Sequence, residues 1–207
     1  MQFSITLIII IVTAMASISA FSNQILMDKM MFNAYMVKHR KEWWRFFTSG
    51  FVHADYIHLA LNMFVLYSFG SFLESAYSDF FEDKAHFYFI TLYLLSLVAC
   101  EITSYRKNIN NVNYNSLGAS GAVSAVVFAC IIIEPFSQLS VYGIKMPAVV
   151  YGLLYLALEF YLNKAKRTNI NHTAHIEGAL FGIVFTIVTK PALFSNFVEQ
   201  VKNHFGS

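Results

Sequence analysis

Charge is what this chain most lacks. Only 13% of its 207 residues are Asp, Glu, Lys or Arg, against about 25% in an average soluble domain. So few polar groups cannot cover the surface of a globule this size. The 14 Lys plus Arg nearly cancel the 12 Asp plus Glu, leaving +2, which provides no basic field for a nucleic acid. Proline (3), glycine (9) and cysteine (2) are also sparse, which excludes a collagen, a Pro/Gly-rich coil and a disulfide scaffold. Cys100 and Cys130 both fall inside apolar segments and read as small buried hydrophobes, uninformative about redox compartment. Hydrocarbon is what abounds. With 57% hydrophobic and 17% aromatic residues, disorder is excluded too and a polytopic membrane protein remains.

A transmembrane helix takes about 20 mostly apolar residues. Six stretches reach or approach that length: 4–21, 57–73, 85–105, 118–133, 146–162 and 173–189. The expected fold class is all-α, one six-helix membrane bundle over residues 1–207 with no space for a second soluble domain. The first stretch also reads as a cleaved signal peptide, but a basic leading region and a small-x-small cleavage site are missing, which favours a span. Between the first two stretches, residues 22–56 mix Lys38, Arg40 and Lys41 with Trp43, Trp44, Arg45, Phe46 and Phe47. Such amphipathic content suits segments lying in the bilayer interface.

Strongly polar side chains are costly in hydrocarbon, so those inside the stretches are candidates for function. His58 and Asn62 open the second stretch, four residues apart and therefore on one helical face. Gly118-Ala119-Ser120-Gly121 opens the fourth, and His175 the sixth. Alternate spans run in the same direction, so these three N-terminal ends share one side of the membrane and a similar depth. A serine hydroxyl beside a neutral imidazole is the minimal activated nucleophile: the imidazole takes the proton as the oxygen attacks and returns it to the leaving group. The His58 ring N–H, the Asn62 amide and the Ser120 backbone N–H are donors of the kind that stabilise a developing oxyanion. Close approach of the fourth and sixth helices is allowed by Gly118, Gly121, Ala122 and Ala125 on one side and Gly178, Ala179 and Gly182 on the other.

Each feature alone has a plainer reading. A Gly-x-Ser-Gly match arises by chance, a lone membrane serine commonly bonds its own helix carbonyl, and His58 with Asn62 can act as polar glue between helices. Convergence at one level favours catalysis.

With Trp44-Arg45 and His53 in the first loop, the His58-x3-Asn62 spacing, Gly118-Ala119-Ser120-Gly121, Ala174-His175-Ile176, and Gly178 and Gly182, the chain resembles the rhomboid family of intramembrane serine proteases, of the bacterial six-helix kind. The resemblance implies that Ser120 is the nucleophile, His175 the general base and acid, and His58, Asn62 and the Ser120 N–H the oxyanion hole. It further implies a Ser-His dyad with no acidic third member, and no cofactor or metal. Gly118 would let a substrate backbone approach, Trp44 and Arg45 would order the first loop, and Glu74 would be a structural glutamate. The substrates it implies are transmembrane segments of single-span proteins, cut in the bilayer, and the location a multi-pass protein of a bacterial inner membrane with both termini cytoplasmic.

Three features depart from that pattern. Many family members carry an aromatic residue four positions after the nucleophile, stacked on the imidazole, where this chain has Ser124; Ser124→Tyr is then expected to hold or raise activity. Glu177 follows the histidine closely and is expected to turn away from it and snorkel to the interface. Basic residues also distribute unusually. Lys29, Lys38, Arg40, Lys41, Arg45, Arg106, Lys107, Lys164, Lys166 and Arg167 flank one face, against Lys84, Lys145, Lys190 and Lys202 on the other. That bias would put the site mouth in the cytoplasm, whereas the resemblance places it outside; the second is adopted, because half of the ten lie in the interfacial first loop. Two other function classes fit the same residues: a non-catalytic rhomboid-like protein that binds transmembrane helices, and a proton or ion relay through His58, His175 and Glu177.

Overall fold

Where water is absent a backbone must satisfy its own N–H and C=O groups, and apolar stretches fold as helices for that reason. The computed structural model describes residues 4–141, 143–165 and 170–206. Lys166 and Arg167, counted above among the basic residues, lie outside them.

Each apolar stretch carries a helix, with boundaries that depart from the expected ones for identifiable reasons. The first helix, α1 (Ile5–Phe21), is capped by Ser4, whose Oγ accepts from Leu7 N at 3.3 Å. Glu74 completes that cap. Its carboxylate accepts from Ser4 Oγ (2.8 Å), Ile5 N (2.6 Å) and Thr6 N (3.2 Å), an anion on free N–H groups at a helix N-terminus. With its charge used in this way, Glu74 does not end the second stretch at 73, and α5 (Tyr56–Phe81) runs eight residues further.

Residues 22–56 are folded back rather than laid out as one interfacial segment. They form α2 (Gln24–Met30), α3 (Ala34–Arg40) and α4 (Arg45–Thr48), with Asn23 and Asn33 capping the first two. Arg45 is buried, salt-bridged to Glu42 at 2.6 Å while Nη1 donates to the Asp28 and Met31 carbonyls, both at 2.7 Å. It thus ties down the end of α2. Trp44, expected to share that task, is 53% exposed and its side chain stands outward.

The third stretch is two helices, α6 (Ala85–Ala99) and α7 (Ile102–Asn108). They part at Glu101, whose carboxylate accepts from Ser116 Oγ at 2.7 Å. The fourth gives α8 (Ser120–Ile133), in which every residue from Gly121 to Ile133 is buried. An antiparallel hairpin follows, β1 (Gln138–Val141) and β2 (Ile144–Pro147), paired from Gln138↔Pro147 to Val141↔Ile144. The hairpin is an addition to the all-α expectation, and it delays α9 (Ala148–Ala165) to the residue after Pro147. After α10 (His172–Thr189) an unforeseen amphipathic helix, α11 (Ala192–Phe205), buries Leu193 and donates Gln200 Nε2 to the Ile133 carbonyl (3.1 Å), covering the end of α8.

Two helical runs among the described residues are long and apolar enough to cross a bilayer: Tyr56–Asn108, taken through its bends, and His172–Thr189. α1 and α8 are apolar but shorter. The outer surface is greasy. Ile8, Ile11 and Met15 on α1, Leu153 and Leu158 on α9, and Val188 on α10 are all exposed, while Thr6, Thr13 and Ser17 on α1 face inward. This reversal of the soluble pattern suits a surround of acyl chains.

At the centre, α8 and α10 touch through their backbones. A Cβ added at Gly178 would overlap the Gly121 carbonyl, and one at Gly182 the Ala125 carbonyl. Glycine is required at both positions.

Candidate active site

The segment entering α8 is fixed before its helix begins. Gly118 holds φ at +114°, a conformation that favours glycine, and its N–H donates to the Ser49 carbonyl at 2.9 Å. Ala119 N donates to His53 Nε2 at 3.3 Å. That ring is fully buried, its Nδ1 lies 3.0 Å from Ser17 Oγ, and Ser17 Oγ lies 3.0 Å from the Phe51 carbonyl. With Nε2 accepting, Nδ1–H donates to Ser17 Oγ, whose own hydroxyl donates to the Phe51 carbonyl. The arrangement needs a neutral imidazole. Burial, aided by His58 and opposed by Asp55, pushes the His53 pKa down to about 3.

Ser120 is the first residue of α8, and its Oγ lies 2.7 Å from His175 Nε2 on the first turn of α10. The glycine contacts of α8 and α10 bring these two turns together. On α5, Asp55 Oδ1 caps the helix through His58 N at 2.7 Å. His58 stands close enough to Gly118 that a Cβ there would come within 2.8 Å of its Cε1 and 3.1 Å of its Nε2. Asn62 Nδ2 donates to the His58 carbonyl at 2.9 Å, which leaves one amide hydrogen for a ligand. Ser120, His175, His58, Asn62, Gly118 and Gly121 all line one cavity of about 1130 Å³. It opens among the loops at the N-terminal ends of α5, α8 and α10.

Two groups that were not expected complete the surroundings of His175, both on α9. Glu159 presents Oε1 to His175 Nδ1 at 3.0 Å and Oε2 to His172 Nδ1 at 2.6 Å. The implied absence of an acidic partner is therefore corrected: a carboxylate occupies that position. It was visible as the one charged residue of the stretch 146–162, and the rule that flagged His58 applied equally to it. Tyr155 flanks the imidazole in an offset, near-parallel arrangement, with ring centres 6.4 Å apart and planes 27° from parallel, and its Oη is 2.8 Å from Ser124 Oγ. The missing aromatic on α8 is thus replaced by one from α9, which uses the space beside Ser124. A tyrosine at 124 would have to displace the Tyr155 hydroxyl from its contact with Ser124, which argues against a gain in activity for Ser124→Tyr.

Glu177 turns away from His175 without snorkelling. Its carboxylate accepts from the Thr103 hydroxyl and, at 3.4 Å, from Thr103 N, joining α10 to α7. Among the described residues, Glu159, His172 and His175 form a group able to hold a metal ion, with ligand atoms within 4.8 Å of one another.

A family model described as the Rhomboid domain matches residues 40–192, a range that holds every residue of this cavity named above. The chain belongs to the rhomboid family. Among curated relatives, this rhomboid is 26% identical over 188 residues to Rhomboid-like protein 11, chloroplastic, of Arabidopsis thaliana, covering 81% of this chain and 60% of that one. It is 28% identical over 158 residues to the human Presenilin-associated rhomboid-like protein, mitochondrial (74% and 40%), and 26% identical over 170 residues to Rhomboid-related protein 1 of Caenorhabditis elegans (79% and 45%). The chain spans about half the length of these relatives.

Proposed function

We propose that this rhomboid is an intramembrane serine endopeptidase that cleaves transmembrane segments of single-span proteins. The observation that carries the reading is the 2.7 Å contact between Ser120 Oγ and His175 Nε2 inside a cavity also lined by His58 and Asn62. In the first step Ser120 Oγ attacks the scissile carbonyl while Nε2 takes its proton. The His58 Nε2–H, the second Asn62 amide hydrogen and the Ser120 N–H at the start of α8 receive the oxyanion. Nε2 then protonates the leaving amine, and a water repeats the sequence on the acyl-enzyme.

The bundle is read as six spans: α1, α5, α6 with α7, α8, α9 and α10. α8 has 14 residues, about 21 Å at 1.5 Å per residue, against a hydrocarbon core of about 30 Å. Ser120 then lies below the head groups, with the polar loops admitting water from above. A helix entering from the side must unwind locally to present an extended strand to Oγ. Both termini are assigned to the face opposite the cavity. A bacterial inner membrane gains no support from the relatives, two of which are named as chloroplastic or mitochondrial.

Reconstituted wild type should cleave a model single-span substrate, and Ser120→Ala should not. A folded wild type that binds the substrate helix without cutting it would favour the non-catalytic reading. Proton flux without cutting would favour the relay.

A further inference from the structure

The proposed reaction needs His175 in one tautomer. Nε2 accepts the Ser120 proton only if the ring proton is on Nδ1, and an imidazole free of other contacts does not hold it there. The structure supplies the missing constraint from a different helix. Glu159 Oε1 lies 3.0 Å from Nδ1, and an ionised carboxylate can only accept a hydrogen bond. With Nδ1–H committed to Glu159, the Nε2 lone pair faces Ser120 Oγ at 2.7 Å.

The carboxylate is itself fixed. Glu159 is 7% exposed, and its Oε2 is held by His172 Nδ1 at 2.6 Å, one turn before His175 on α10. On the same α9 face, one turn before Glu159, Tyr155 flanks the imidazole with its ring offset from it and is held by Ser124. One helix therefore supplies both neighbours of the ring. Little else on α9 is buried: apart from Glu159, only Ala148 and Gly152 are.

We propose that Glu159 is a positioning residue, the third member of a Ser120–His175–Glu159 relay in which His172 clamps the carboxylate. The proposal rests on the protease reading above. When Oγ attacks, the proton moves from Ser120 to Nε2, and the imidazolium formed stands next to a carboxylate already in place. Glu159 gains no proton and forms no bond to substrate. It orients the ring and stabilises its charged form.

The test compares wild type, Ser120→Ala, Glu159→Gln and Glu159→Asp in bilayers, measuring fluorophosphonate labelling and cleavage kinetics, with ¹⁵N-resolved NMR of the histidine rings in micelles. Glu159→Gln should lower kcat roughly 10²- to 10⁴-fold, as removal of the acid does in other serine hydrolases, with KM nearly unchanged. Glu159→Asp should recover part of the loss. Wild type should show a downfield Nδ1–H resonance that disappears in His175→Ala and in Glu159→Gln. The proposal fails if Glu159→Gln labels and turns over at the wild-type rate while Ser120→Ala is inert, or if wild type labels but the resonance is absent, an outcome that needs no variant at 159 to fold. Failure of wild type itself to label would instead remove the protease reading, and this inference with it.

Discussion

Gly178 lies against the carbonyl of Gly121, so closely that any side chain at 178 would overlap it. Gly121 follows Ser120 by one residue, and Gly178 follows His175 by three, so this contact sets the distance between hydroxyl and imidazole. Gly178→Ala should destabilise the bundle by about 1–3 kcal/mol, the usual cost of forcing atoms into a packed interface, and should depress activity more than stability. Thermal denaturation in detergent beside a cleavage assay checks this; unchanged activity would mean that the helices do not meet here.

Asn62 tests the oxyanion hole. Removing one donor typically costs about 10²- to 10³-fold in kcat, but His58 and the Ser120 N–H remain, so Asn62→Ala should retain measurable turnover. Ser120→Ala and His175→Ala should each abolish it, since members of such a unit are not additive. Loss in Asn62→Ala equal to that in Ser120→Ala would assign Asn62 a scaffolding role through its bond to the His58 carbonyl.

His53 gives a prediction about pH. The folded imidazole is held neutral down to about 3, while the unfolded one titrates near its ordinary 6.5. Between those values the unfolded chain binds more protons, so the stability due to His53 is complete above about 6.5 and is lost as pH falls toward about 3. His53→Gln, which can still accept from Ala119 and donate to Ser17, should flatten the acid side of a plot of melting temperature against pH. An unaltered slope would show that other groups control acid stability.

A metal ion should inhibit. Zn²⁺ bound by Glu159, His172 and His175 would take the Nδ1 lone pairs, leaving the His175 proton on Nε2 and no acceptor for Ser120. Added Zn²⁺ should slow fluorophosphonate labelling and EDTA should restore it, with a weaker effect of Zn²⁺ on His172→Ala. Loss of labelling on EDTA alone would show that a metal is part of the working site.

The positions of Ser120, His175, His58 and Asn62 at the starts of three helices were legible because polar groups in hydrocarbon are few and alternate spans share a direction. The glycines that join α8 to α10 were legible as well, since small residues at helical spacing mark close contact. Glu159 was harder to read. It lies three residues before the end of the fifth stretch, the end that an antiparallel span brings level with the starts of α8 and α10, but which face of α9 meets His175 depends on packing. Tyr155 carries no distinguishing signal among twelve tyrosines; its role depends on a contact with Ser124 that spacing along the chain does not encode. The ends of α5 and α6 are not legible in the sequence for one reason: whether a charged residue in an apolar run stops a helix depends on the partner that satisfies it, the α1 N-terminus for Glu74 and Ser116 for Glu101.

The most direct test of the central claim is to treat the folded membrane-embedded protein with a fluorophosphonate and map the adduct by peptide mass. The account predicts one modified serine, Ser120, in wild type and no adduct in His175→Ala. An adduct on another serine, or labelling of Ser120 that survives loss of His175, would contradict it.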